Sequence, residues 1–166
     1  GRGFADIACA QPAFTIPALT GQNFATVTGK NAIYRLDLTT GAMQPITTTC
    51  PVAPESVAWD SQTNLVYYTE VGGTSATTNR LYSFNTTNFT HSLVTNLNAA
   101  TGYALSSSPK NLVYIFGDLY TIQGDDDLVR IKVTGSTANL TKIADLSGNT
   151  RNFGTVGAAA LSTGGL

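Results

Sequence analysis

Charge is scarce in this sequence. Only 11% of its 166 residues are Asp, Glu, Lys or Arg, and the formal net charge is -1, where about a quarter charged is usual. No basic face can neutralise phosphates, which excludes an electrostatic nucleic-acid binder. No run approaches the ~18 apolar residues of a membrane-spanning helix, and no basic cluster could hold an anionic lipid surface. Histidine occurs once, as His91, so any Ser-His-Asp chemistry would have to use it. No Gly-x-Ser-x-Gly elbow supplies a nucleophile, and His91, between the polar run 85–90 and Ser92-Leu93-Val94, reads as a loop or strand-edge residue. Long helix formers such as Glu, Lys and Met are few. The chain holds instead 26 threonines, 16 glycines and 12 asparagines, a composition of strands and turns. One domain is expected, removing roughly 70% of its unfolded surface from water.

Cys9 and Cys50 are the only thiols. An even pair in a low-charge, Thr-rich chain suits a disulfide formed outside the cytosol, stabilising by roughly 4 kcal/mol through the loop it closes. The alternative is two small buried hydrophobes. The sequence opens at Gly1 without a basic-then-apolar leader, so a signal peptide, if the precursor had one, is expected to be gone. Residues 1–22, with Pro12 and Pro17, read as an extended arm, and residues 23–166 as a repeat domain.

The repeat has a period of about 47 residues. Asn64-Leu65-Val66-Tyr67 recurs unchanged as Asn111-Leu112-Val113-Tyr114. A second pattern runs Ile33-Tyr34-Arg35-Leu36-Asp37-Leu38, then Leu81-Tyr82-Ser83-Phe84-Asn85-Thr86, then Leu128-Val129-Arg130-Ile131-Lys132-Val133, at offsets of 48 and 47. Apolar residues at the first, second and fourth places, with polar ones at the third and fifth, make each a short strand with one dry face. One period reads as four strands, 56–59, 65–71, 81–85 and 92–97, and the next as 103–106, 112–116, 128–133 and 140–146. Polar turns at 60–63 and 107–110 fit hairpin connections. Short, evenly spaced strands in units of 40 to 50 residues are the signature of propeller blades. The fold expected is all-β: β-propeller-like four-stranded antiparallel blades, about three repeats of 47–48 residues, incomplete at both ends.

The pattern from Ile33 to Gly41, with the Asn-Leu-Val-Tyr units, resembles the β-propeller repeats of many secreted and cell-surface proteins. The resemblance covers about residues 23–166 and departs from that family in blade number, which is about three here. It implies the fold and leaves function open, since such blades serve in scaffolds, adhesins, lectins and lactone-hydrolysing enzymes.

Residues 156–162 read as the first strand of a further repeat, while 24–28 read as a second strand without its first. Placed in succession, the two segments would complete a blade. The assembly residues are therefore Phe24, Ala25, Thr26 and Val27 at one end and Ala158, Ala159, Ala160 and Leu161 at the other. Three accounts follow: a piece of a longer polypeptide, copies joined into a ring or head-to-tail polymer, or a sandwich or solenoid in place of blades.

Gly124-Asp125-Asp126-Asp127 sets three carboxylates side by side, which repel unless solvated or bridged by a hard cation such as calcium. It lacks the Asp-x-Asp-x-Asp-Gly loop with a distal Glu, and the competing reading is an exposed turn. Sequons stand at Asn85, Asn88 and Asn139, about as many as chance gives at this Asn, Ser and Thr content. Tyr67, Tyr82 and Tyr114 occupy repeated strand places and are expected in the core rather than on a sugar-binding surface. The function these features favour is a non-enzymatic extracellular or cell-surface structural protein. Its copies would assemble through edge strands into a filament, sheath or surface layer, with no cofactor, and glycans would be a second class of partner. The alternatives are a carbohydrate-binding or adhesive module, and a fragment of a larger lactonase-like hydrolase with carboxylates around a metal.

Overall fold

The computed structural model describes residues 23–27, 29–71, 79–124 and 126–146. Residues 1–22 with Cys9, residues 72–78, Asp125 and the assembly residues Ala158, Ala159, Ala160 and Leu161 lie outside the described residues. Three sheets follow one another along the chain. The first runs β1 (Asn23–Thr26), β2 (Ile33–Leu36), β3 (Met43–Thr47). The second runs β4 (Pro54–Asp60), β5 (Leu65–Glu70), β6 (Arg80–Asn85), β7 (Thr90–Asn96). The third contains β8 (Thr101–Gly102), β9 (Val113–Ile115), β10 (Asp118–Gln123), β11 (Asp127–Thr134) and β12 (Thr137–Asp145), in the order β8-β12-β11-β10-β9. Neighbours pair antiparallel except β8, which joins β12 in parallel.

The middle sheet is apolar on both faces, and its alternation shows why it sits in the middle. Val57, Trp59, Val66, Tyr68, Tyr82 and Phe84 point to one side, into a core shared with Ile33, Cys50 and Val52. Ala58, Tyr67 and Leu81 point to the other, into a core with Leu119, Val129, Ile131 and Leu140. A strand with two dry faces must lie between two sheets. Tyr68, Leu81 and Phe84 are wholly buried, each contributing on the order of 1.5–3 kcal/mol. Tyr67 stacks on Tyr114 across one interface at 5.9 Å, and Phe24 packs on Trp59 across the other at 5.0 Å. Strand β4 touches β1 on one side and β9 on the other, so the sheets stack like blades around an axis.

The third repeat corrects the expected assignment. The segment 103–106 is not a strand. It belongs to a connection tied to the second sheet by hydrogen bonds: Thr69 Oγ1 donates to Pro109 O at 2.7 Å, Ser108 Oγ to Glu70 O at 2.7 Å, and Leu112 N to Ser56 Oγ at 2.8 Å. The second Asn-Leu-Val-Tyr copy therefore leads into the first antiparallel strand of its sheet, β9, whereas the first copy opens the second strand, β5. Besides the two-residue β8, the sheet regains four antiparallel strands through β10, which the sequence reading did not expect. Phe116-Gly117, with φ of 50° and 92°, forms the tight two-residue turn that reverses β9 into β10. Here β10 and β11 are joined by 124–126, where β5 and β6 are joined by 71–79. The shorter loop restores the register of the third and fourth strands.

Candidate functional site

Each sheet is a meander, so its turns fall alternately on two faces of the molecule. The β2–β3, β4–β5, β6–β7, β9–β10 and β11–β12 turns share one face, and Thr86 N donates to Asn64 O at 3.0 Å to tie two of them together. Three are built alike. Asp37 Oδ1 accepts from Thr39 N at 2.8 Å and Thr40 N at 3.2 Å. Asp60 Oδ1 accepts from Gln62 N at 2.9 Å and Thr63 N at 3.4 Å, and Asn85 Oδ1 from Thr87 N at 2.8 Å and Asn88 N at 3.2 Å. Such side-chain acceptors mimic a backbone turn. These bonds hold the Asp37 carboxyl below its ordinary range. The turn then closes through a left-handed residue: Gly41 at φ 72°, Asn64 at 57°, Phe89 at 59°. Glycine and asparagine take that conformation readily, but a phenylalanine does so at a cost of about 1–2 kcal/mol.

Two phenylalanines in left-handed backbone, Phe89 and Phe116, are 64% and 93% exposed on this face. Leu38, in the β2–β3 turn, is 63% exposed. Beside it lies a groove of about 320 Å³ lined by Arg35, Leu36, Asp37, Leu38, Ala42 and Gln44 among others. Neither phenylalanine stood out in the sequence, although Phe89 sits 48 residues after Gly41 and so breaks the repeat at a position that wants glycine.

The second feature is the edge of β1. Within the described residues β1 pairs only with β2, whereas β5 and β10, in the same place of their sheets, are covered by β4 and β9. Phe24, Ala25 and Thr26 lie on β1; Val27 follows its end and accepts a hydrogen bond from Lys30 N at 3.0 Å. Phe24 is anchored on Trp59, and Thr26 Oγ1 donates to Glu55 O at 3.3 Å.

No family model matches the chain, and no curated protein matches its sequence. Among solved structures it is similar to the nidogen/laminin complex, with TM-score 0.52 and 10% identity over 75% of this chain and 44% of that one. It also aligns with Saccharomyces cerevisiae Sqt1, at TM-score 0.44 and 11% identity over 70% of this chain and 29% of that one. The chain thus spans less than half of either. The fold is propeller-like. The three sheets are blades, the first three-stranded within the described residues, and likeness at this identity speaks of fold alone.

His91 lies between the first and second blades rather than in a reactive cleft. Its Nδ1 is 2.9 Å from Tyr68 Oη, its Nε2 is 3.1 Å from Thr47 Oγ1, and its ring packs on Phe84 at 4.7 Å. Burial lowers its pKa below 6.5 and raises that of Tyr68 far above the usual phenol. A neutral imidazole accepting from Tyr68 and donating to Thr47 satisfies all three groups. Cys50, 4% exposed in the same core, has its thiol pushed up to about 11 by burial. Its expected partner Cys9 lies outside the described residues.

The acidic turn gathers Asp126 and Asp127 with Asp145 of β12, their oxygens within 4.8 Å of one another. Lys142 enters this group, its Nζ 2.5 Å from Asp127 Oδ1 and 2.9 Å from Asp145 Oδ2. Tyr103 Oη donates to Asp127 Oδ2 at 2.7 Å. Lys142 and Tyr103 together hold the Asp127 carboxyl below its ordinary range, while burial and the bond to Asp127 push Tyr103 up to about 12. The three sequon asparagines differ in access. Asn88 and Asn139 are exposed, whereas Asn85 is half-buried with its Oδ1 inside a turn.

Proposed function

We propose that this chain is a non-enzymatic extracellular interaction module whose copies associate by strand addition at an open blade edge. The supporting observation is β1: anchored through Phe24 and Thr26, it has the place of a second strand but pairs on one side only within the described residues. An ordered strand that has a neighbour on one side only among the described residues, as Phe24 to Thr26 do, is a template for another strand. In this reading the segment 156–162 of a second copy supplies that strand, and repetition gives a ring or a head-to-tail polymer. Exposed Asn88 and Asn139 and the scarcity of charge suit an extracellular setting.

The test removes residues 157–166 and compares particle mass and shape by light scattering and electron microscopy. The truncated chain should lose its assemblies while keeping the circular dichroism and urea midpoint of the full chain. Assemblies that survive the truncation would refute strand addition by that segment.

A further inference from the structure

We propose that Asn88 carries an N-linked glycan, and that it alone of the three sequon asparagines is built to accept one. This rests on the extracellular part of the reading above and makes no use of strand addition.

As sequence the three sequons are equivalent, and the fold separates them. Asn88 and Phe89 end the β6–β7 turn, Thr90 opens β7, and all three are exposed. Phe89 takes φ 59°, which folds the sequon back on itself. Thr90 Oγ1 donates to Asn88 Oδ1 at 2.7 Å, and Thr90 N donates to the same oxygen at 3.2 Å. A left-handed phenylalanine is costly, and strain that is kept points to a role for the geometry it produces. Here it holds the hydroxyl that a sequon requires against the amide that the sugar joins. Two donors on Oδ1 draw charge onto the oxygen and make the Nδ2 protons easier to lose. Nothing among the described residues accepts from Asn88 Nδ2, so a sugar on that nitrogen breaks no bond.

The other two asparagines are committed to the fold. Asn85 is half-buried at the end of β6, and its Oδ1 accepts from Thr87 N and Asn88 N. Asn139 lies within β12, paired with β11 on one side and β8 on the other. Thr141 Oγ1 donates to its Oδ1 at 3.2 Å, but its Nδ2 donates to Thr101 Oγ1 of β8 at 2.9 Å. A glycan on that nitrogen would stand where β8 joins β12. The Asn88 bonds span 2 residues, so they can form in a chain that has not yet folded, whereas the Thr101 bond spans 38.

The donor class is an oligosaccharide joined through diphosphate to a lipid. The bond from its anomeric carbon to the diphosphate oxygen breaks, and the lipid diphosphate leaves with the electron pair. The anomeric carbon bonds to Asn88 Nδ2, which gives one proton to a base of the transferase.

Glycopeptide mapping of the full chain, recovered from the cells that make it, tests this. A peptide-N-glycosidase acting in heavy-oxygen water turns each glycosylated Asn into a labelled Asp. Asn85 and Asn88 share the tryptic peptide 81–110, so fragmentation places the label. It should fall on Asn88, with Asn85 and Asn139 unlabelled. Passed through a eukaryotic secretory pathway, Asn88→Gln and Thr90→Ala should each yield a chain lacking the whole glycan. A bare Asn88 in the chain from its own cells, or label on Asn85 or Asn139 equal to that on Asn88, overturns the proposal. Light scattering on the same material separates it from strand addition. Assemblies of chains with a bare Asn88 overturn this proposal alone, glycosylated chains that never assemble uphold it and overturn strand addition alone, and an unglycosylated chain confined to the cytosol overturns this proposal together with the extracellular reading.

Discussion

The hydroxyl of Tyr68 and Nδ1 of His91 lie 2.9 Å apart in the interface of the first two blades, and Thr47 of the first blade completes the chain at His91 Nε2. Two blades are thus joined by a polar contact set in an apolar core.

That contact makes stability sensitive to pH. Burial depresses the His91 pKa below 6.5, so the folded chain binds this proton less readily than the unfolded one. The stabilisation is complete above 6.5 and is lost as pH falls through the depressed value. Asp37 and Asp127, held below 3.8, lose theirs only in stronger acid. The urea midpoint should therefore drop between neutral and mildly acidic solution, and His91→Gln should flatten that drop. A midpoint that rises on mild acidification would contradict the assignment.

Gly102 is a backbone requirement. It has φ 93°, and a Cβ there would collide with the carbonyl oxygen of Leu140, the oxygen that accepts from Tyr103 N at 2.9 Å. Gly102→Ala should cost about 2 kcal/mol, lowering the melting temperature by roughly 4–8 °C. Gly135→Ala has φ 59° and nothing within 4 Å, so only the left-handed cost of about 1 kcal/mol applies. Equal shifts in differential scanning calorimetry would show that the collision is relieved elsewhere.

Those two glycines mark what the sequence could reveal. The third-strand repeat was legible because Tyr82/Phe84 and Val129/Ile131 must face cores at a period of two, and Asp37 and Asn85 must start turns. The first strand of the last blade was misread because the Asn-Leu-Val-Tyr recurrence is real, while the strands it introduces differ. The change lies in loop length, in a Phe-Gly turn that lacks the usual Asn-Gly signal, and in the hydroxyls of Ser56, Thr69 and Ser108 that capture the preceding segment. Turn faces and blade edges were visible only in part, since which turns lie together depends on the sheets being stacked.

Asp60 should prove the most demanding of the turn carboxylates. It is 1% exposed, its Oδ1 accepts from Gln62 N and Thr63 N, Thr63 Oγ1 donates to its Oδ2, and the Tyr114 hydroxyl bonds to it. Asp60→Ala removes the buried acceptor that Gln62 N, Thr63 N, Thr63 Oγ1 and the Tyr114 hydroxyl share, and should cost about 2–3 kcal/mol in urea unfolding. Asp60→Asn, which keeps one acceptor, should cost less, and Tyr114→Phe about 1 kcal/mol. Asp37→Ala, at an exposed turn, should cost less than Asp60→Ala, and the reverse order would show that burial does not set the scale.

The acidic turn yields a prediction about metal. Three carboxylates with oxygens within 4.8 Å of one another could hold a hard cation, but an ammonium already stands among them, since Lys142 Nζ bonds both Asp127 and Asp145. A calcium ion would have to displace that group and sacrifice both contacts, and it would gain few further oxygen ligands here, where calcium takes six to eight. Neither millimolar calcium nor a chelator should therefore move the melting temperature of the natural chain. Lys142→Met leaves the carboxylates facing one another without a counter-charge, so this variant should melt lower and regain part of the loss when calcium is added. A calcium-induced rise in the natural chain would mean that the lysine is a placeholder and that the turn takes a metal after all.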